Sequence, residues 1–112
     1  MREPTVDGAL QLRHLLRELL CRWELPEDVV DDAVLITTEL VLNAIVHAGT
    51  TFRVVVDLQG RLLRIAVADG CTRPPRRRTH HGRGLRIVTR TALRWGWWEY
   101  DTGKTVWAEV FV

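Results

Sequence analysis

Glu39, Asn43 and His47 are spaced four residues apart, so on a helix their side chains stack along one face. A carboxylate can orient or deprotonate a nucleophile. A carboxamide oxygen one turn further on suits a hard cation such as Mg²⁺, and an imidazole completes the row. Ordinary solvent-facing helices also carry polar residues at this spacing, so the row takes its meaning from the rest of the chain. Asp69-Gly70 ends an apolar, alternating run. A carboxylate there either closes a turn or is presented to a ligand at a sheet edge. Gly82-Arg83-Gly84 stands immediately before a helical run that begins at Leu85. Glycines let the backbone approach a ligand, and a helix start offers free N–H donors to phosphate. The same glycines could simply serve a flexible loop.

These residues must be held by the elements around them. Residues 1–7 read as a loose start, with Asp7 able to cap the next element. Leu12, Leu15, Leu16, Leu19, Leu20 and Trp23 form a helical stripe that packs on the core, or alternatively on a second copy. Pro26, Glu27 and Asp28 suit the first turn of a second helix. Its buried stripe is Val29, Ala33, Ile36, Thr37, Leu40, Val41, Ala44 and Ala48, with Gly49 as the stop. Glu39, Asn43 and His47 fall beside that stripe, where a helix edge can line a cleft.

A hairpin comes next. Phe52, Val54, Val56 and Leu58 alternate with Arg53, Val55 and Asp57, Gln59-Gly60 turns the chain, and Leu63, Ile65 and Val67 return it to Asp69. Residues 71–81 hold two prolines and four arginines. They read either as a solvated loop or as a lid whose arginines meet phosphate or an acidic partner. Leu85, Ile87, Val88 and Ala92 continue at helical spacing. Trp95–Tyr100 and Lys104–Val112, joined by Asp101-Thr102-Gly103, form a second hairpin whose tryptophans pack on the sheet. Two hairpins and three helices imply an α+β sandwich with an antiparallel or mixed sheet and helices on one face.

Length and composition narrow the functions. With 112 residues and an apolar share of 46%, the chain is expected to form one domain over residues 1–112. A net charge of +2 argues against direct nucleic-acid binding. The two cysteines, Cys21 and Cys71, lack the spacing of a zinc site or disulfide framework. No apolar run approaches the roughly 20 residues of a membrane span. The N-terminus lacks a signal-peptide core, so the cytoplasm is the expected location.

Taken together, the three stretches supply what a nucleoside triphosphate needs. Asn43 can hold Mg²⁺, Asp69 can accept a hydrogen bond from an amino group on a base, the start of the third helix can receive phosphates, and Glu39 can act as a base. This pattern resembles the GHKL ATPase superfamily, whose nucleotide site is the Bergerat fold. Within it, the chain is similar to the short anti-sigma-factor serine/threonine kinases and their stand-alone actinobacterial relatives. The resemblance rests on Thr38–Ala48 as the N box, Val67-Ala68-Asp69-Gly70 as the first glycine box and Arg73-Pro74-Pro75 as the lid entry. Gly82-Arg83-Gly84-Leu85 looks like the second glycine box, and Trp95-Gly96-Trp97 with Gly103–Trp107 like the terminal hairpin.

The resemblance implies a two-layer sandwich with an ATP lid at residues 70–81, and ATP and Mg²⁺ as cofactors. Glu39 would be the catalytic base and Asn43 the Mg²⁺ ligand. Asp69 would contact the adenine amino group, and Thr105 would lie near the adenine. Gly70, Gly82, Arg83, Gly84 and Leu85 would line the lid and phosphates, and His47 belongs to the motif. Partners would be a sigma factor or an anti-sigma antagonist, with a homodimer possible. One departure stands out. The superfamily's first glycine box usually reads Asp-X-Gly-X-Gly, whereas this chain has Asp69-Gly70-Cys71-Thr72-Arg73. The alternative is therefore a degenerate domain that binds a partner without catalysis.

Overall fold

The computed structural model describes residues 6–48, 52–70 and 85–112. Helix α1 spans Val6–Arg22 and α2 spans Glu27–Ala48. Strands β1 (Phe52–Gln59) and β2 (Leu62–Asp69) form the first hairpin. Helix α3 (Leu85–Thr91) leads to β3 (Arg94–Tyr100) and β4 (Gly103–Phe111). The four strands make one antiparallel sheet in the order β1-β2-β4-β3. The sandwich expected from the sequence is thus present, with purely antiparallel pairing.

Helix α1 ends in a Schellman motif. Leu25 N–H donates to the Leu20 carbonyl and Glu24 N–H to the Cys21 carbonyl. Glu24 occupies the left-handed position at φ 59. The α1 stripe is only partly covered. Leu16 and Leu20 are buried, whereas Leu15 is 62% exposed and Trp23 is 37% exposed. An exposed ion pair at 2.9 Å between Arg17 and Asp31 joins α1 to α2, and contacts of this kind contribute little.

Helix α2 is the centre of the molecule and packs on α1, α3 and the sheet. Val29, Val30, Ala33, Val34, Ile36, Leu40, Val41 and Ala44 are all buried. Full burial of a side chain such as Ile36 or Leu40 contributes roughly 1.5–3 kcal/mol. The buried Thr37 hydroxyl donates to the Ala33 carbonyl at 2.7 Å, so it adds no unsatisfied group to the core.

The strands alternate as half-covered sheets do. Leu63, Ile65, Val67 and Asp69 of β2 are buried, as are Lys104, Val106, Ala108 and Val110 of β4. These positions face the helices. The other face carries Trp98, Tyr100 and Trp107. Arg64, Glu109 and Arg94 stand in one cross-strand row there, and Glu109 pairs with both arginines. Arg64 also lies 4.9 Å from the Trp107 ring centre and 5.6 Å from that of Trp98, at cation–π range. The first hairpin turns at Gly60-Arg61, one residue later than the expected Gln59-Gly60, because Gln59 already pairs with Leu62. Gly60 takes φ 61, which favours glycine.

Candidate functional site

Glu39 and Asn43 fall on consecutive turns of α2, and neither is a surface residue. Glu39 is 3% exposed and Asn43 is 1% exposed. With Thr37 they are the polar members of a mainly apolar set of buried α2 positions, so they are not ordinary solvent-facing polar residues. A carboxylate is rarely buried without compensation. Their donor chemistry fits a hard cation. Mg²⁺ takes oxygen ligands, and one or two protein donors commonly suffice when phosphate and water complete the shell. His47 lies within α2, but its side chain is outside the described residues.

Asp69 ends β2 on the helix-facing side and is buried. Directly opposite in the β2–β4 register stands Lys104. Its ammonium donates to both carboxylate oxygens, at 3.1 Å to Oδ1 and 3.0 Å to Oδ2. The Lys104 and Asp69 side chains are 1% and 2% exposed. Lys104 is the largest fully buried side chain among the described residues and the chain's sole lysine. Taking two charges out of water is tolerated only when the pair is well bonded, and the two-oxygen geometry meets that condition.

Thr105 lies elsewhere. It sits opposite Trp98 in the β3–β4 register, and its hydroxyl is 2.6 Å from the Tyr100 hydroxyl, on the sheet face away from the helices. Successive strand residues point to opposite faces, so a shift of one position reverses the side. The inward position beside Asp69 belongs to Lys104, a residue that the motif resemblance does not single out. Strand parity carries the signal, because Lys104 shares it with Val106, Ala108 and Val110 on the apolar face of β4.

Gly70 is exposed, at the bend after β2. Leu85 opens α3 and is fully buried, with Val88 beside it in the core. Gly82, Arg83 and Gly84, with lid residues 71–81, lie outside the described residues. Among the described residues the structure therefore brings Glu39, Asn43, Asp69 and Lys104 into buried positions on elements that pack against one another. No described helix is long and apolar enough to cross a membrane.

Comparison with known proteins bears on the fold and the family. The crystal structure of the RsbU and RsbW domains of Rv1364c from Mycobacterium tuberculosis matches with a TM-score of 0.78 and 21% identity. The match covers 97% of this chain and 30% of that one, so the present chain spans about a third of that protein's length. The likeness shows a shared fold. No curated protein matches the sequence. A family model described as the histidine kinase-like ATPase domain matches residues 3–109. Nearly the whole chain is matched, helices and both hairpins included, and the protein belongs to the histidine kinase-like ATPase domain family.

Proposed function

We propose that this protein binds Mg²⁺–ATP between α2, the Asp69 end of the sheet and the start of α3, and transfers the γ-phosphoryl group to a serine or threonine of a partner protein. The observation that carries this reading is the burial of Glu39 and Asn43, at 3% and 1% exposure, on the central helix of a histidine kinase-like ATPase domain. Bound Mg²⁺ would neutralise charge on the phosphates. Asn43 would hold it through the carboxamide oxygen. Glu39 would accept the proton from the attacking hydroxyl. Asp69 would accept a hydrogen bond from the adenine amino group. Gly82, Arg83, Gly84 and Leu85 would close on the phosphates. The partner would be a cytoplasmic regulatory protein such as a sigma factor or an anti-sigma antagonist, and the similarity to a structure containing an RsbW domain supports that choice.

The test is phosphotransfer, with ATP binding measured in parallel. Glu39→Ala is expected to retain ATP binding and lose transfer of labelled phosphate to candidate partners. Normal transfer by that variant would remove Glu39 as the base.

A second reading is favoured by a specific observation. Asp69, the carboxylate assigned to the adenine, is already ion-paired with Lys104, and the sequence after it departs from Asp-X-Gly-X-Gly. Under this reading the domain regulates by holding a partner and ATP is dispensable. Partner capture that is equal with and without Mg²⁺–ATP, and unaffected by Glu39→Ala, is the outcome that would select it.

A further inference from the structure

We propose that Lys104 determines base recognition in this site by competing with the nucleotide for Asp69. The inference rests on the reading of Asp69 as the carboxylate that contacts the nucleobase. The ammonium engages both carboxylate oxygens, at 3.0 and 3.1 Å. The two side chains are 1% and 2% exposed, so the pair is sealed from solvent. An exocyclic amino group is a neutral donor. Both donors would meet the same ionised carboxylate, but only the ammonium adds a full opposite charge, so the amino group does not displace it without loss. The nucleobase reaches Asp69 only when Lys104 turns aside or gives up one oxygen.

The backbone leaves little other freedom. Gly103, the residue before Lys104, packs its Cα side against the Asp69 carbonyl, and even an added Cβ would overlap that oxygen. Asp69 and Lys104 are also register partners on adjacent strands. Withdrawing β4 from β2 at this point would break that strand pairing. Movement must come from rotation along the lysine side chain, whose several torsions permit it. Lys104 thus lowers the affinity for a 6-aminopurine and weakens discrimination against a 6-oxopurine, because the group that would tell them apart is occupied.

The experiment titrates ATP and inosine triphosphate, which carries an oxo group in place of the amino group, into the full chain by calorimetry. Wild type is compared with Lys104→Gln, Lys104→Met and the double variant Lys104→Met/Asp69→Asn. Lys104→Gln is included because its amide still offers Asp69 a donor if Lys104→Met unfolds, and circular dichroism establishes that each variant is folded. The expected result is about tenfold tighter ATP binding in the folded single variants, the scale of one hydrogen bond. Inosine triphosphate should gain little, and the double variant should lose the gain. Unchanged or weaker ATP binding in folded single variants, with the double variant binding ATP more weakly still than Lys104→Met, overturns the role of Lys104 alone. Indifference of ATP affinity to both Lys104 and Asp69 overturns the assignment of Asp69 as well.

Discussion

Gly103 stands so close to Asp69 that a Cβ added to it would overlap the Asp69 carbonyl oxygen. The obstacle is backbone, which cannot move aside as a flexible side chain can. Gly103→Ala is therefore expected to destabilise the fold by roughly 3 kcal/mol, the upper end of the range for overpacking. Gly96 offers the contrast, since a Cβ there would meet the Trp107 ring at 2.8 Å. That ring can shift, so Gly96→Ala should cost roughly 1 kcal/mol. Urea unfolding of the two variants should show the larger midpoint shift for Gly103→Ala, and equal shifts would contradict the tight β2–β4 contact.

Glu24 supplies a test at the other end of the molecule. It holds φ 59 at the Schellman position after α1, where an L-residue with a side chain is strained by about 1–2 kcal/mol. Glycine relieves that strain while losing more backbone freedom on folding. Glu24→Gly should raise stability by a net ~0.5 kcal/mol. A fall in melting temperature would mean that the Glu24 side chain makes a contribution larger than the strain.

Acid stability should depend on Glu109. The hydrogen bond from Arg94 chiefly holds its carboxyl below the usual value of 4.5, assisted by the charges of Arg94 and Arg64 and opposed by burial. The folded state therefore binds this proton more weakly than the unfolded state. The resulting stabilisation is fully present above 4.5 and is lost as pH falls below it through the folded value. Glu109→Gln should lower stability at neutral pH and flatten its decline on acidification, as measured by urea unfolding between about pH 3 and 7. An unchanged slope would assign acid sensitivity to other carboxylates.

Much of the architecture is legible in the sequence because the hydrophobic periods are clean. The 3.6-residue stripe of α2 and the alternation of β1, β2 and β4 specify both elements and the faces they bury. Glu39, Asn43 and Asp69 are legible as chemistry. Their degree of burial is not, since an i, i+4 row looks the same at a helix surface and at its packed side. Thr105 is named for the adenine by the motif resemblance alone. A lysine ordinarily reads as a solvent-facing residue, yet strand parity sets Lys104 beside Asp69 on the helix-facing side of the sheet and Thr105 on the other. What hides Lys104 in the sequence is its partner, Asp69, which lies 35 residues earlier and meets it only through the β2–β4 register.

The most direct test is calorimetric titration of the protein with ATP, with and without Mg²⁺, alongside Asn43→Ala. Binding is expected to strengthen with Mg²⁺ and to fall at least about tenfold in the folded Asn43→Ala variant, consistent with loss of one metal-ligating oxygen. No binding at millimolar ATP, or binding indifferent to both Mg²⁺ and Asn43, would contradict a Mg²⁺–ATP site on α2.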